Sequence, residues 1–364
     1  MKIKELASFL ESVAPLSLQE SYDNAGLIVG DPDDEIKGVM ICLDSTEAVI
    51  DEAISEGCNL IIAHHPIIFS GLKKITGKNY IERVVIKAIR HGISIYASHT
   101  NLDNVSVGVN AKIAEKLGLG NLKVLSGKKN ILKKLVTYCP TSSSENVKDA
   151  LFQAGAGAIG DYDQCSFSVA GTGSFRGNEN SQPFVGQRGE RHLENEDRIE
   201  VVYELWKESA IVKALLKTHP YEEVAYDLYL LENLSAQVGS GMIGELKEAM
   251  TERDFLFFLK KAIKTECVRH SGEIRRNIKK VAVCGGSGSF LLNSAIQQGA
   301  DAFVTADFKY HQFFDADGHL LIADVGHYES EQFTMELIKD IISKKNATFA
   351  VRLTKVITNS VHYI

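Results

Sequence analysis

Proline is scarce in this chain, and its first residues carry no targeting signal. Only 6 of the 364 residues are proline and 45% are hydrophobic. This composition excludes a long disordered region, because disordered segments lack the apolar residues that a core requires. Residues 1–15 alternate charged and apolar side chains at helical spacing, which fits neither a signal peptide nor a transmembrane segment. We therefore expect a soluble, cytoplasmic protein with no membrane partner.

Paired cysteines and an excess of positive charge are also missing. None of the 6 cysteines forms a CxxC pair, and Cys42 and Cys284 lie in apolar, strand-like runs. We interpret the cysteines as buried, reduced thiols. Acidic residues outnumber basic ones by 47 to 40, which gives a net charge of −7. This balance argues against nucleic acid as a partner, since nucleic-acid binding through a broad face needs positive charge.

The order of the predicted helices and strands divides the chain into an outer part and a middle part. A length of 364 residues exceeds the usual size of one core and predicts two domains. Residues 1–125 and 244–364 alternate strands with helices, as βαβ units do. They include predicted strands at 93–103 and 347–355 and a predicted helix at 330–344. We interpret residues 237–250 as a glycine-rich join where the chain re-enters the outer part. Residues 126–243 are rich in glycine and polar side chains and follow the ferredoxin-like order β-α-β-β-α-β. We predict a discontinuous α/β domain (1–125 plus 244–364) that carries an inserted ferredoxin-like α+β domain (126–243).

Two adjacent histidines follow one of the predicted buried strands. The apolar run 60–63 leads directly into His64 and His65, and Pro66 then stops the strand because proline has no N–H to donate. Near a strand end, neighbouring side chains no longer need to point to opposite faces. Both rings can therefore face one site, at the carboxyl edge where open α/β sheets hold their ligands.

Further histidines and acids follow two other predicted strands. Asp103 belongs to the segment that follows the run 93–97, whereas His327 and Glu331 lie four residues apart where a strand passes into a helix, so they share one helical face. Mixed nitrogen and oxygen ligands suit Zn²⁺, Mn²⁺ or Fe²⁺ better than Ca²⁺ or Mg²⁺. Five ligands exceed what one tetrahedral ion needs, and they suit two ions about 3.5–4 Å apart with Glu331 as the bridge. The predicted ligands are His64, His65, Asp103, His327 and Glu331.

Other polar residues near these strand ends are candidates for roles in catalysis. Asp307 ends the predicted strand at 300–307, and Lys309 and His311 follow it. Lys309 and His311 can contact a substrate phosphate, and His311 can transfer protons; the alternative is a solvated loop with a capping aspartate. His99 is placed to orient a ligand. The loop 284–289, CGGSGS, offers either backbone amides for an anion or a plain tight turn.

Five short motifs give the chain a resemblance to the NIF-three-like family, whose members are often labelled GTP cyclohydrolase 1 type 2 homologues. The motifs are NAGLIVGD (24–31), AHHPIIF (63–69), SHTNLDN (98–104), TADFKYH (305–311) and VGHYESE (325–331). The middle segment resembles the PII/CutA-like insert of the longer bacterial members. The resemblance implies a dinuclear metal centre and a homohexameric ring. It also implies that His65 and Asp103 hold one ion, that His64 and His327 hold the other, and that Glu331 bridges both.

These observations favour one functional hypothesis and leave alternatives open. The favoured hypothesis is a metal-dependent protein with two divalent ions per chain and hydrolase-like, cyclohydrolase-like chemistry on a small nucleotide-like substrate. Two bound ions do not by themselves identify a substrate. The alternative is a non-enzymatic protein that stores, delivers or senses metal. A third hypothesis is a ring-shaped oligomer that binds nucleic acid. The net charge of −7 argues against it.

Overall fold

The computed structural model describes residues 1–272, 276–345 and 349–364. The chain forms two compact units, which we call the outer unit (Met1–Gly127 with Gln237–Ile364) and the middle unit (Lys128–Ala236). Each unit is a mixture of helices and strands, in agreement with the predicted α/β class. No helix in the described ranges is long and apolar enough to span a membrane.

The first sheet of the outer unit contains the strand that precedes the two histidines. Its strands are β1 (Gly26–Val29), β2 (Gly38–Cys42), β3 (Leu60–Ala63), β4 (Ser94–Ala97) and β15 (Ala350–Leu353), in the order β1-β4-β3-β2-β15. Only β1 runs antiparallel to its neighbour. Every residue of β2, β3 and β4 is buried, as expected for parallel strands that are covered on both faces.

Two helices that pack against this sheet begin at polar capping residues. They are α2 (Glu47–Ser55) and α3 (Tyr80–Arg90); α1 (Ile3–Val13) precedes the first strand. The side chain of Thr46 accepts a hydrogen bond from the backbone N–H of Val49, and that of Asn79 accepts one from Glu82. These bonds satisfy amides that have no partner inside the helix.

The second sheet of the outer unit contains strands from both ends of the chain. Its strands are β5 (Gly120–Gly127), β10 (Gly239–Met250), β11 (Arg269–His270), β12 (Ile278–Ser287), β13 (Ala302–Ala306) and β14 (Leu321–Asp324), in the order β11-β14-β13-β12-β10-β5. β12, β13 and β14 are parallel, and the other pairs are antiparallel. The helices outside the first sheet are α4 (Thr100–Asp103), α5 (Val109–Lys116), α8 (Glu252–Ile263), α9 (Leu292–Gln297), α10 (His327–Glu331) and α11 (Thr334–Ser343).

Several predicted elements of the outer unit differ in the structure. The predicted strand 93–103 ends at Ala97, because the side chain of Asn101 accepts a hydrogen bond from the backbone N–H of His99 and the chain turns into α4. The helix predicted after Glu329 is two helices, α10 and α11. The segment 237–250, interpreted as a glycine-rich join, is mostly the long strand β10. Of the strand predicted at 347–355, residues 347 and 348 lie outside the described residues.

The middle unit is a four-stranded antiparallel sheet with two helices. Its elements are β6 (Leu132–Pro140), α6 (Ser144–Gln153), β7 (Phe167–Phe175), β8 (His192–Glu204), α7 (Glu208–Thr218) and β9 (Tyr226–Leu231). The sheet order is β7-β8-β6-β9, and the chain order is β-α-β-β-α-β. Leu135 and Ile199 from the sheet form a buried core with Leu151 and Ile211 from the helices, whereas most of β7 is exposed.

The cysteines are all free thiols in the structure. Four of them are buried, as predicted, but Cys165 and Cys267 are only half-buried because they lie in connecting segments.

Candidate metal centre

The polar residues that follow three strands of the outer unit meet at one place. His64 and His65 follow β3, Asp103 ends the short helix α4 after β4, and α10 after β14 carries His327 and Glu331. His64 and Glu331 are almost completely buried, at 0% and 3% exposure. Two groups of side chains face the two oxygens of Glu331, and we call them subsite A and subsite B.

Subsite A consists of His64, Asp103 and one oxygen of Glu331. The Nε2 atom of His64 lies 3.7 Å from Asp103 Oδ1 and 3.7 Å from Glu331 Oε1, which is too long for a hydrogen bond. His64 Nε2 and Asp103 Oδ1 are buried and have no hydrogen-bond partner among the described residues. Buried polar atoms without partners are costly. A divalent ion with bonds of about 2.0–2.2 Å to nitrogen and oxygen would satisfy both atoms, so these residues fit a metal.

Subsite B consists of His65, His327 and the other oxygen of Glu331. Glu331 Oε2 lies 2.9 Å from His65 Nε2 and 3.1 Å from His327 Nε2. The two Nε2 atoms are 3.4 Å apart. Three ligand atoms of these residues lie within 4.8 Å of one another. Two imidazoles and one carboxylate at such distances also fit a divalent transition metal.

Each histidine is oriented by a hydrogen bond from its other ring nitrogen. His64 Nδ1 donates to the carbonyl of Ser98 at 2.8 Å, and His65 Nδ1 donates to Asp44 Oδ1 at 2.8 Å. His327 Nδ1 donates to Asp307 Oδ2 at 2.7 Å. Carbonyl and carboxylate oxygens only accept, so Nδ1 holds the proton in each ring. In the neutral rings, Nε2 is then free to bind a metal, which is the usual arrangement at metal sites.

The histidines and carboxylates of the cluster shift one another's pKa values. Burial by itself lowers the pKa of His65, but hydrogen bonds to Asp44 and Glu331 outweigh burial and raise this pKa to about 9. Burial likewise lowers the pKa of His327, yet Asp307 and Glu331 raise it to about 11. The pKa of Glu331 is lowered because nearby histidines outweigh the effect of its burial. The carboxylates around subsite B therefore favour positive charge at both rings.

Asp103 behaves differently from Glu331. Burial raises its pKa to about 6, although the positive charge of neighbouring histidines opposes that shift. Its Oδ1 atom has no hydrogen-bond donor among the described residues, so burial dominates. A cation placed at subsite A would reverse this shift and keep Asp103 ionised.

The expectation drawn from the family resemblance, which assigns each ligand to one of two ions, stays a prediction. That expectation pairs His65 with Asp103 and His64 with His327. In the structure His64 faces Asp103, and His65 faces His327. The reason lies in the orienting hydrogen bonds. The carbonyl of Ser98 turns His64 toward α4, and Asp44 turns the ring of His65 toward α10.

The three catalytic candidates do not share one location. Asp307 contacts the cluster through His327. Lys309 lines a separate cavity formed with Arg269 and Phe313. Among the described residues that line the cavity beside the cluster, neither Lys309 nor His311 occurs. The chain turns at Asp307, whose φ is +60°, and the segment after it leads away from the metal centre.

Sequence reasoning missed Asp44 and Asp23, and it considered Gly286 only as part of the loop 284–289. Asp44 follows β2 just as His64 follows β3, so the rule that polar residues at strand ends form sites would have found it. Asp23 Oδ1 accepts a hydrogen bond from His99 Nδ1 at 2.7 Å; it belongs to an irregular segment and gave no local signal. Gly286 lies so close that a Cβ there would collide with Glu331 Oε1.

A cavity of about 510 Å³ opens beside the two subsites. Exposed aromatic side chains lie around it: Tyr22, Phe69, Tyr80 and Phe290. Four carboxylates also line it: Glu20, Asp44, Asp103 and Glu331. None of its described lining residues is Lys or Arg. This volume suits a small organic molecule, and the aromatic rings offer surfaces for stacking a planar group.

Comparison with known proteins places these features in a family. The profile of the family Duf34/NIF3 (NGG1p interacting factor 3) matches residues 1–360. The chain is 40% identical to a GTP cyclohydrolase 1 type 2 homolog of Bacillus subtilis, over 94% of this chain and 91% of that protein. It is 41% identical to the protein of that name from Halalkalibacterium halodurans, over 97% of this chain and 95% of that protein.

A solved structure agrees with these matches. The crystal structure of a Bacillus cereus protein related to NIF3 superposes with a TM-score of 0.86 at 36% sequence identity. The match covers 100% of this chain and 99% of that one.

Proposed function

The chain belongs to the Duf34/NIF3 family, as its motifs predicted, and from this membership and the geometry of its centre we propose a dinuclear divalent-metal protein with hydrolase-like activity. The position of Glu331 carries the proposal. Its Oε1 faces the unpartnered Nε2 of His64, and its Oε2 lies between His65 and His327. One buried carboxylate thus contributes an oxygen to each of two groups of ligands, as a bridge between two ions does.

The chemistry of the ligands points to the class of metal. Three imidazoles and two carboxylates suit Zn²⁺, Mn²⁺ or Fe²⁺. A pair of such ions would supply Lewis acidity that activates water at neutral pH. The residues of the chain orient the ligands and exclude water. Asp44 and Asp307 keep the rings of His65 and His327 oriented. The burial of Glu331 keeps bulk water away from the proposed bridge.

The cavity beside the centre supports a small, ring-bearing substrate of the nucleotide-like class. The relatives are named as homologues of GTP cyclohydrolase 1 type 2. Two divalent ions would carry four positive charges, and the four lining carboxylates already balance them. With no Lys or Arg among the described lining residues, a polyphosphate has no cation of its own to bind. We propose that aromatic stacking holds the ring and that few phosphates accompany it.

A non-enzymatic role in metal delivery or regulation is the second candidate, and the burial of subsite A favours it. His64 has 0% exposure, so an ion held there would have restricted contact with a substrate. The enzyme hypothesis requires multiple turnovers per protein. The delivery hypothesis requires transfer of the ion to an acceptor without turnover.

Further parts of the proposal rest on the family resemblance. We propose a cytoplasmic homohexameric ring in which residues 1–125 and 244–364 form the metal-binding domain and residues 126–243 a PII/CutA-like insert. The β-α-β-β-α-β order of the middle unit supports the insert. Light scattering at micromolar concentration is expected to give six times the mass of the chain, and a monomer there would contradict the ring.

The central experiment joins metal analysis to a substrate series. Protein purified without chelator or added metal is expected to hold two ions per chain by elemental analysis. The loaded protein is then offered guanosine, guanosine monophosphate and GTP. We expect binding and hydrolysis to weaken as phosphates are added, because each phosphate adds uncompensated negative charge. Protein that never holds more than trace metal after reconstitution would refute the dinuclear centre. Metal-loaded protein that acts on GTP in preference to guanosine would refute only the proposed substrate class.

A further inference from the structure

The middle unit contains a cavity that is separate from the metal centre. Its volume is about 700 Å³, and it lies beside the β7–β8 hairpin. The aromatic side chains of Phe175, Phe184 and Tyr221 line it. The ring of Tyr221 lies 5.9 Å from that of Phe175 and 6.4 Å from that of Phe184, measured between centroids. These rings form a cluster that faces a space large enough for a small molecule.

A buried carboxylate belongs to the same cavity. Glu196 on β8 is 9% exposed and accepts a hydrogen bond from the Tyr221 hydroxyl, at 2.8 Å between Oε1 and the phenol oxygen. Burial, together with this carboxylate, raises the pKa of Tyr221 far above its ordinary value. The position of the Glu196 carboxylate requires a glycine at residue 173, because a Cβ there would collide with Glu196 Oε2. A buried carboxyl group of the chain therefore lines this cavity.

No cation of the described chain pairs with Glu196. Two arginines line the cavity, Arg176 and Arg198. Arg198, two residues further along β8, is bonded to Glu200 at 2.8 Å, and Arg176 is exposed to solvent. Burial lowers the pKa of the nearby His219. His219 Nε2 donates to the carbonyl of Tyr138, and its Nδ1 accepts from the N–H of Tyr221, which identifies a neutral ring. A buried carboxylate without a counter-charge is unfavourable, so the cavity is suited to a ligand that brings positive charge.

We propose that the middle unit binds a small organic ammonium ion, with Phe175, Phe184 and Tyr221 around its apolar substituents and Glu196 as its counter-charge. Aromatic faces attract cations, and clusters of such rings are a common means of binding quaternary ammonium groups. A hard metal ion is a poorer occupant, because it requires several oxygen ligands and the three rings offer none but the phenol oxygen of Tyr221, which already donates its proton to Glu196.

The experiment compares choline with its neutral carbon analogue, in which a carbon atom replaces the charged nitrogen. The two probes share shape and differ in charge. Titration calorimetry and ligand-observed NMR on the intact, metal-loaded protein are expected to show saturable binding of choline. The analogue is expected to bind at least about tenfold more weakly, because it cannot make the desolvated cation–π contacts. Equal binding of the two probes, or no saturable binding of choline at millimolar concentration, would overturn the proposal.

Variants of the same cavity locate the binding. Glu196→Gln keeps the shape and the acceptor for Tyr221 but removes the charge, so choline affinity is expected to fall about tenfold or more. Glu223→Gln is the matched control: it removes an exposed carboxylate from the rim of the same cavity and is expected to change affinity less than about twofold. Equal losses in the two variants would indicate a general negative field and refute a specific site. Calcium binding that depends on Glu196, without choline binding, would also refute the proposal.

Discussion

Replacing Glu331 by glutamine is expected to release both metal ions, although it changes a single atom. The side chain of Glu331 is buried and its two oxygens serve different subsites. Glutamine keeps the shape and one oxygen acceptor but loses the negative charge. His65→Ala, by contrast, removes a ligand from subsite B alone. The comparison of the two variants therefore tests whether Glu331 is shared.

The size of the effect follows from the distances. The oxygens of Glu331 lie 2.9 Å from His65 Nε2 and 3.7 Å from His64 Nε2, so an ion bound to either ring lies less than about 4 Å from the carboxylate. Removing one unit charge about 4 Å from a divalent ion costs about 8 kcal/mol at an effective dielectric constant of about 20, which is about 4 kcal/mol for each unit of the ion's charge. A cost of this size weakens binding by about a millionfold at each subsite. A nanomolar site would become millimolar and lose its ion on desalting.

Elemental analysis after desalting measures the outcome, with circular dichroism as the check on folding. We expect two ions per chain in the wild type, about one in His65→Ala and well below one in Glu331→Gln. Glu329→Gln is the matched control, because Glu329 lies on the same helix and is buried but bonds to Asn359 instead of the cluster. A folded Glu331→Gln protein that retains two ions would show that the carboxylate does not bridge.

Two further predictions concern the surroundings of the centre. Gly286→Ala is expected to lower metal occupancy, because the new Cβ would displace the Glu331 carboxylate; Gly299→Ala, with a similar positive φ and no atom within 4 Å, shares the backbone strain of about 1 kcal/mol and should keep its metal. Equal occupancy in the two variants would contradict the steric argument. For Asp23, burial acts to raise the pKa, but hydrogen bonds from His99 and Thr100 outweigh burial and lower it from 3.8 to about 2. A carboxylate whose pKa is lower in the folded state stabilises the fold at any pH above its pKa in the unfolded state. This stabilisation is lost as the pH falls toward the pKa of the folded state. In metal-free protein, the advantage of the wild type over Asp23→Asn in urea unfolding should be about 2 kcal/mol at neutral pH and shrink below about pH 4; a constant difference would refute the assignment.

The local pattern of the sequence was enough to locate the buried strands and the residues that follow them. The runs at β2, β3 and β4 are apolar except for Ser94 at the start of β4. Parallel strands are covered on both faces, and the resulting apolar runs can be recognised in a short window of sequence. The same reasoning placed His64, His65, Asp103, His327 and Glu331 at strand ends, where they do meet. The motifs that contain these residues also identified the family.

The partners of these residues were decided only by the packing of distant segments. Asp44 and Ser98 determine which way the two adjacent rings turn, and Asp307 holds His327. The turn at Asp307 leaves Lys309 and His311 outside the lining of the cavity. In the middle unit, Glu196 meets Tyr221 across 25 residues of chain. Sequence periodicity reports burial and secondary structure because both repeat locally, whereas distances between strand ends depend on sheet order and loop direction. For that reason the sequence predicted which residue types belong to the candidate metal centre, whereas the distances between them depend on the tertiary structure.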